Sequence, residues 1–195
     1  MNAARHLENE IGEHLVVLER TRESVLQEFG RIADVCVASL RAGHKVVFFG
    51  NGGSAADAQH FATELVVRYR INRPAIRAVA LTTDTSALTA IGNDYGFDDV
   101  FARQVEALCQ AGDVVIGIST SGNSENIIRG LRAARTVGAV TVGLGGGTGG
   151  RMLEHADHAV IVPSQITARI QEIHLIIGHT LCDVVERELT GNASE

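Results

Sequence analysis

The chain has 195 residues, 45% apolar and 21% charged, which is the balance of one globular core under a solvated skin and argues against disorder or a fibrous fold. Its formal net charge is -6 and it holds no dense Lys/Arg cluster, so a nucleic-acid backbone is not the expected main ligand. A small anion is still admissible, because backbone N–H groups can hold a phosphate whatever the global charge.

The opening stretch Met-Asn-Ala-Ala-Arg-His-Leu-Glu-Asn-Glu has no apolar leader segment, and no window offers the roughly 18 consecutive apolar residues of a spanning helix. The expectation is a cytoplasmic chain with no membrane partner and no nucleic-acid partner. Cys36, Cys109 and Cys182 are odd in number and far apart, which suits small core fillers in a reducing compartment.

From Ala3 to Ala42 the pattern is helical, with Val25, Phe29, Ile32, Cys36 and Leu40 on one stripe and a break near Thr21 that suggests two helices. Lys45 to Gly50 then reads as a short buried strand, and Ser54 to Tyr69 as a helix. Further strands are expected at Arg77 to Leu81, Asp113 to Ser119, Ala139 to Leu144 and His158 to Val162, with helices at Asp99 to Leu108, Asn123 to Thr136 and Thr167 to Leu189. Repeated strand and helix units imply an α/β fold: one domain over 1–195, in which a helical segment (1–43) precedes a five-stranded parallel sheet covered on both faces (44–195). The last helix is apolar nearly all round, so one face is expected on the domain and another on a partner chain. Asn93-Asp94-Tyr95-Gly96 reads as a turn, functional only if it faces the same crevice as the motifs below. The glycine-rich stretch Gly143 to Gly150 reads as a loop, either a lid or a plain connector.

Ligands of open parallel sheets bind at the strands' carboxyl ends, and two loops there are unusual. Gly50-Asn51-Gly52-Gly53-Ser54 lets the backbone approach a ligand at a helix N-terminus, without the spacing of a dinucleotide fingerprint. Ser119-Thr120-Ser121-Gly122-Asn123-Ser124 brings four hydroxyls and an Asn to another helix start, which suits a phosphomonoester. The plainer alternative is a Ser-rich turn that spends one hydroxyl on an N-cap.

His60 and Glu64, four apart on one helix face, can chelate one metal or form a surface pair. The last helix adds Gln171, Glu172, His174 and His179, polar groups that burial would penalise without partners. Gln171 and His179 are about 80° apart around the helix and roughly 12 Å along it. They can share an ion only if it sits midway or if they come from different chains. His174 reads as a satisfied core histidine and Glu172 as an exposed carboxylate. His155 and His158 read as surface residues.

Taken together, Gly50 to His60, Glu64, Gly92 to Phe97, Ile118 to Ser124, Ala168 to His174 and His179 resemble the sugar isomerase (SIS) family, and within it the phosphoheptose isomerases. The resemblance implies a flavodoxin-like SIS domain that converts D-sedoheptulose 7-phosphate to D-glycero-D-manno-heptose 7-phosphate for bacterial surface polysaccharide. It implies one zinc ion per subunit on His60, Glu64, Gln171 and His179. Phosphate contacts fall on Ser119, Thr120, Ser121 and Ser124, and sugar contacts on Asn51, Gly52, Gly53, Ser54, Asn93 and Asp94, with Glu64 and Gln171 also at the substrate. Glu64 is expected as base and His179 as acid, in a homotetramer with sites at subunit interfaces. Some relatives carry an Asp where this chain has Ala168. The rival reading is a non-catalytic SIS-fold interaction protein related to the replication-initiator-associating factor, which lacks counterparts of Glu64 and His179.

Overall fold

The computed structural model describes residues 2–191. Its frame is a parallel sheet in the order β2-β1-β3-β4-β5: β1 Val46–Gly50, β2 Ala78–Ala80, β3 Val114–Ser119, β4 Val140–Gly146 and β5 His158–Val162. All five strands fall where the apolar runs place them. β1 and β3, which are neighbours in space but not in sequence, pair from Val46↔Val114 to Gly50↔Ile118. The chain winds outward in both directions from this pair, so the crevice for a ligand opens beyond their carboxyl ends.

Helices cover both faces, as continuous apolar strands require. On one side α1 (Ala3–Arg41), α2 (Gly53–Val66) and α6 (Thr167–Thr190) close a core around Phe48, Phe61, Ile116 and Ile173. On the other, α4 (Ala102–Leu108) and α5 (Glu125–Thr136) close a second core around Phe49, Phe101, Ile127 and Leu131.

Four details correct the sequence reading. α1 runs unbroken for 39 residues, because Thr21 is buried and its hydroxyl bonds the Val17 carbonyl, so it continues the stripe of Val17 and Val25. The helix expected from Asp99 begins as a 3-10 turn, Phe97–Asp99, and becomes α-helical only at Ala102. Asn93 and Asp94 are no turn; they end a further helix, α3 (Thr85–Asp94), whose N-cap Asp84 accepts from the Ala87 N–H at 2.9 Å. Of the glycine-rich stretch, Gly143 to Gly146 belong to β4, and the chain then folds down into a 3-10 turn at Gly150–Glu154.

Candidate active site

Where β1 and β3 end, the loops that follow them form a cleft of about 280 Å³ lined by Asn51, Gly52, Gly53, Ser54, Ile118, Ser119, Thr120, Ser124, Thr167 and Gln171. The two loops are tied by a reciprocal amide pair. Asn51 and Asn126 each donate Nδ2 to the other's Oδ1 at 2.9 Å. Asn126 is buried and carries no motif of its own, which is why sequence reasoning passed over it.

Three helices begin at this cleft, and none of the three has a side-chain cap. α2 starts after Gly52, α5 after Ser124 and α6 after Ile166, each without a capping bond; of the helices that begin elsewhere, α1 and α3 are capped by Asn2 and Asp84, while the short α4, which follows a 3-10 turn, is also uncapped. Ser124 decides between the two readings of the Ser-rich turn. It occupies the N-cap position, yet its hydroxyl meets Ser119 Oγ at 3.4 Å and makes no cap bond. Three sets of unclaimed helix N–H donors therefore point toward one cleft, the arrangement that attracts an anion through hydrogen bonds and aligned dipoles. Ser121 stands apart from the cleft lining: it is exposed, and its hydroxyl accepts from the Asn123 N–H at 3.2 Å.

The hydroxyl turn is braced from outside. The chain after β4 crosses directly over it: Met152 N–H donates to the Gly122 carbonyl at 2.9 Å and Arg151 N–H to Asn123 Oδ1 at 3.1 Å. Gly122 has φ +65°, and a Cβ there would stand 2.5 Å from the Gly149 carbonyl carbon, so only glycine permits this crossing. The glycine-rich segment is thus a strap over the hydroxyl turn.

α2 and α6 run side by side in the same direction. Gly53 lies against the Gln171 amide, the Phe61 ring against Gly178, and the Phe61 carbonyl accepts from Cys182 Sγ at 3.7 Å. Between the second and third of these contacts the seam brings together His60, Glu64 and His179, whose ligand atoms lie within 4.8 Å of one another. His60 Nε2 is 2.7 Å from His179 Nε2 and 3.4 Å from Glu64 Oε1. Two imidazole nitrogens and a carboxylate oxygen at this separation are a donor set that suits a divalent ion such as zinc. Cys182 is on the same seam, its thiol turned to the Phe61 carbonyl and pushed up to about 12 by burial. Gln171 sits at the head of the seam, in the cleft, about two turns from His179 on α6.

The other polar groups of these helices have separate partners. His174 is fully buried, its Nε2 donating to the Gly145 carbonyl at 3.0 Å while Nδ1 has no partner. Burial pushes its pKa down to about 4, against the opposing pull of that carbonyl. Glu172 is half-buried rather than exposed and clamps Arg169 (2.7 Å) and His14 (2.7 Å), which pins α1 to the start of α6. His158 is also half-buried, at 2.8 Å from Glu28. Asp57, one turn before His60, is buried with Oδ2 unpartnered, and burial raises its carboxyl above the usual range. Asn93 and Asp94 do not reach the cleft of their own chain. They are exposed, and Asp94 lines a separate depression with Ile91, Tyr95 and Arg103.

Comparison with known proteins agrees with this geometry. Residues 11–146 match the family model described as the SIS domain. A phosphoheptose isomerase of Paramagnetospirillum magneticum is 55% identical over 186 residues, covering 95% of this chain and 97% of that protein. Among solved structures, a phosphoheptose isomerase from Neisseria gonorrhoeae superposes with a TM-score of 0.89 at 42% identity, covering 94% of this chain and 98% of that one. One from Francisella tularensis gives 0.92 at 35% identity, covering 96% and 100%. The chain therefore belongs to the SIS domain family, among its phosphoheptose isomerases, which are aldose–ketose isomerases.

Proposed function

We propose that the chain, as a single SIS unit, isomerises D-sedoheptulose 7-phosphate to D-glycero-D-manno-heptose 7-phosphate in the cytoplasm, in the supply of heptose for bacterial surface polysaccharide. One observation carries the reading: three uncapped helix N-termini surround a hydroxyl-lined cleft, and a His60–Glu64–His179 group lies further along the same two-helix seam. From Gly53 to His60 is seven residues of helix, about 10 Å at ~1.5 Å per residue. That span suits a sugar whose phosphate and reacting carbons are at opposite ends of an extended chain.

In this reading Ser119, Thr120 and Ser124 hold the phosphate with the helix N–H groups, while Asn51, Gly52, Gly53, Ser54 and Gln171 contact the sugar; Ser121, outside the cleft lining, would reach the phosphate only by turning its hydroxyl away from the Asn123 N–H. Glu64 takes the proton from C1 of the ketose while His179 donates one to the C2 carbonyl oxygen, giving the 1,2-enediol. Return of a proton to C2 and its removal from the C1 hydroxyl complete the aldose. His60, Glu64 and His179 would hold one zinc ion, which when bound supplies Lewis-acid polarisation of the carbonyl, and Gln171 would join them as fourth ligand only by leaving its place against Gly53 or from a neighbouring subunit. A carboxylate engaged by an ion is a weaker base, so Glu64 would act as base only when free of the ion, or the ion's role would be structural.

We also propose a homotetramer with sites at subunit interfaces. Leu7, Ile11 and Leu15 form an exposed apolar stripe along the outer half of α1, and Val66, Val67 and Ile176 are exposed beside the α2–α6 seam. In such an assembly Asn93 and Asp94 would serve a neighbouring subunit's cleft. Among the described residues no helix is long and apolar enough to cross a membrane. The test is incubation with a panel of ketose phosphates of five to seven carbons while following aldose formation. Turnover confined to the seven-carbon ketose is expected, and absence of any aldose product would overturn the reading.

A further inference from the structure

The loop leaving α2 is fastened to α6 by one buried carboxylate. Glu186 accepts the backbone N–H groups of Tyr69 (2.9 Å), Arg70 (2.7 Å) and Ile71 (2.9 Å), and the Nε of Arg73 at 3.0 Å. Arg73 in turn gives Nη2 to the Glu64 carbonyl at 2.9 Å and Nη1 to the Leu65 carbonyl at 2.8 Å. These are carbonyls in the last turn of α2, where a helix runs out of its own donors. A single ion pair thus satisfies the donors of the loop and the acceptors of the helix that carries His60 and Glu64.

The loop so held delivers an aromatic ring to the site. The Tyr69 ring lies 5.6 Å from the His179 ring, tilted by 30°, and the His60 and Phe61 rings lie 4.9 and 6.3 Å from it. With Phe61 fully buried and His60 itself a member of the group, Tyr69 is the neighbour whose position depends on a loop. We propose that Glu186 and Tyr69 are positioning residues: Glu186 sets the loop from Tyr69 to Ile71, and the Tyr69 ring limits His179 to the orientation in which its Nε2 faces His60 and Glu64.

This inference rests on reading His60, Glu64 and His179 as a metal-binding group, and cobalt(II) as a spectroscopic stand-in for zinc tests both. Cobalt(II) is titrated into the metal-free full chain and followed by its visible absorption. Outer-shell contacts of metal-bound histidines are worth about 10- to 100-fold in affinity, so Tyr69→Ala is expected to weaken binding roughly 10-fold and Tyr69→Phe by less than about twofold. Glu186→Gln should weaken binding like Tyr69→Ala. Unchanged affinity in Tyr69→Ala overturns the inference even where Glu186→Gln does not fold, and so does an equal loss in Tyr69→Phe, because the ring and not its hydroxyl is held responsible. Failure of the unaltered protein to bind cobalt(II) would instead remove the metal reading, and the inference with it.

Discussion

Gly178→Ala sets two effects of one methyl group against each other. In a helix interior alanine is favoured over glycine by about 1 kcal/mol, so an exposed site would gain stability. At Gly178, however, the added Cβ would stand 2.5 Å from Phe61 Cε2 and closer still to Cζ and Cε1. Ordinary carbon contacts lie at about 3.5–4.0 Å, so α6 and α2 must separate by roughly 1 Å or the Phe61 ring must leave its well. The ring is fully buried. Overpacking of this kind costs about 1–3 kcal/mol; taking the upper part of that range and subtracting the helix gain leaves a net loss of about 2 kcal/mol. For a chain of this size that is a fall of about 4–8 °C in the melting midpoint. The neighbouring residue is His179, whose Nε2 stands 2.7 Å from that of His60, so the same separation would spread the donor set. Misplacement by about 1 Å can cost on the order of 100-fold in rate, and a loss of that order in kcat is expected alongside the thermal shift. Circular-dichroism melting and turnover of the heptulose phosphate read the two consequences. A Gly178→Ala protein as stable as the parent and as active would show that the helices do not depend on this contact, and the account of how His60 reaches His179 would fail.

Glu64→Gln should lower kcat by about 10²- to 10⁴-fold with the melting midpoint nearly unchanged, because among the described residues the side chain's one ion pair is with His60, at 3.4 Å; near-normal turnover would remove the proposed base. Ser124→Ala should raise KM by roughly 10- to 100-fold, since a hydrogen bond to a charged group is worth about 1.5–3 kcal/mol, yet leave stability almost untouched, because that hydroxyl caps nothing. His174 has its folded-state pKa lowered from 6.5 to about 4, so its contribution is fully present above pH 6.5 and is lost as pH falls through about 4. The parent should therefore lose roughly 3 kcal/mol relative to His174→Gln across that window in urea unfolding, and parallel curves would contradict a neutral buried imidazole.

How much of this was legible in the sequence depends on whether the signal was local. Each strand announces itself, because both faces of a parallel sheet are buried and leave an uninterrupted apolar run such as Val46 to Phe49. α3 does not, since none of its residues is fully buried and only the short pair Leu88 and Ile91 packs on the core, so its clearest mark is the N-cap Asp84. The apparent break at Thr21 misleads for a related reason: polarity in the sequence hides a hydroxyl that is satisfied within its own helix. Glu186 is the sharper case. Near the end of a helix it reads as one more surface charge, and its partners are backbone N–H groups 115 to 117 residues earlier, which no side-chain pattern encodes.

The same distinction separates the two halves of the site. The hydroxyl turn and the glycine loop are contiguous motifs, so their residues are visible in the sequence, but their use is not. Ser124 in sequence is a good N-cap, and only its geometry shows that it leaves the helix uncapped. Leaving three helix starts uncapped at one cleft forgoes about 1 kcal/mol each, a cost with no return in the isolated fold. A phosphate recovers it, because each open N-terminus becomes a charge-assisted donor set once the anion is bound. The stability withheld from the free chain is thus available as binding energy. If so, inorganic phosphate at saturating concentration should raise the melting midpoint of the unaltered protein more than it raises that of Ser124→Ala, and equal shifts would mean the anion is held elsewhere.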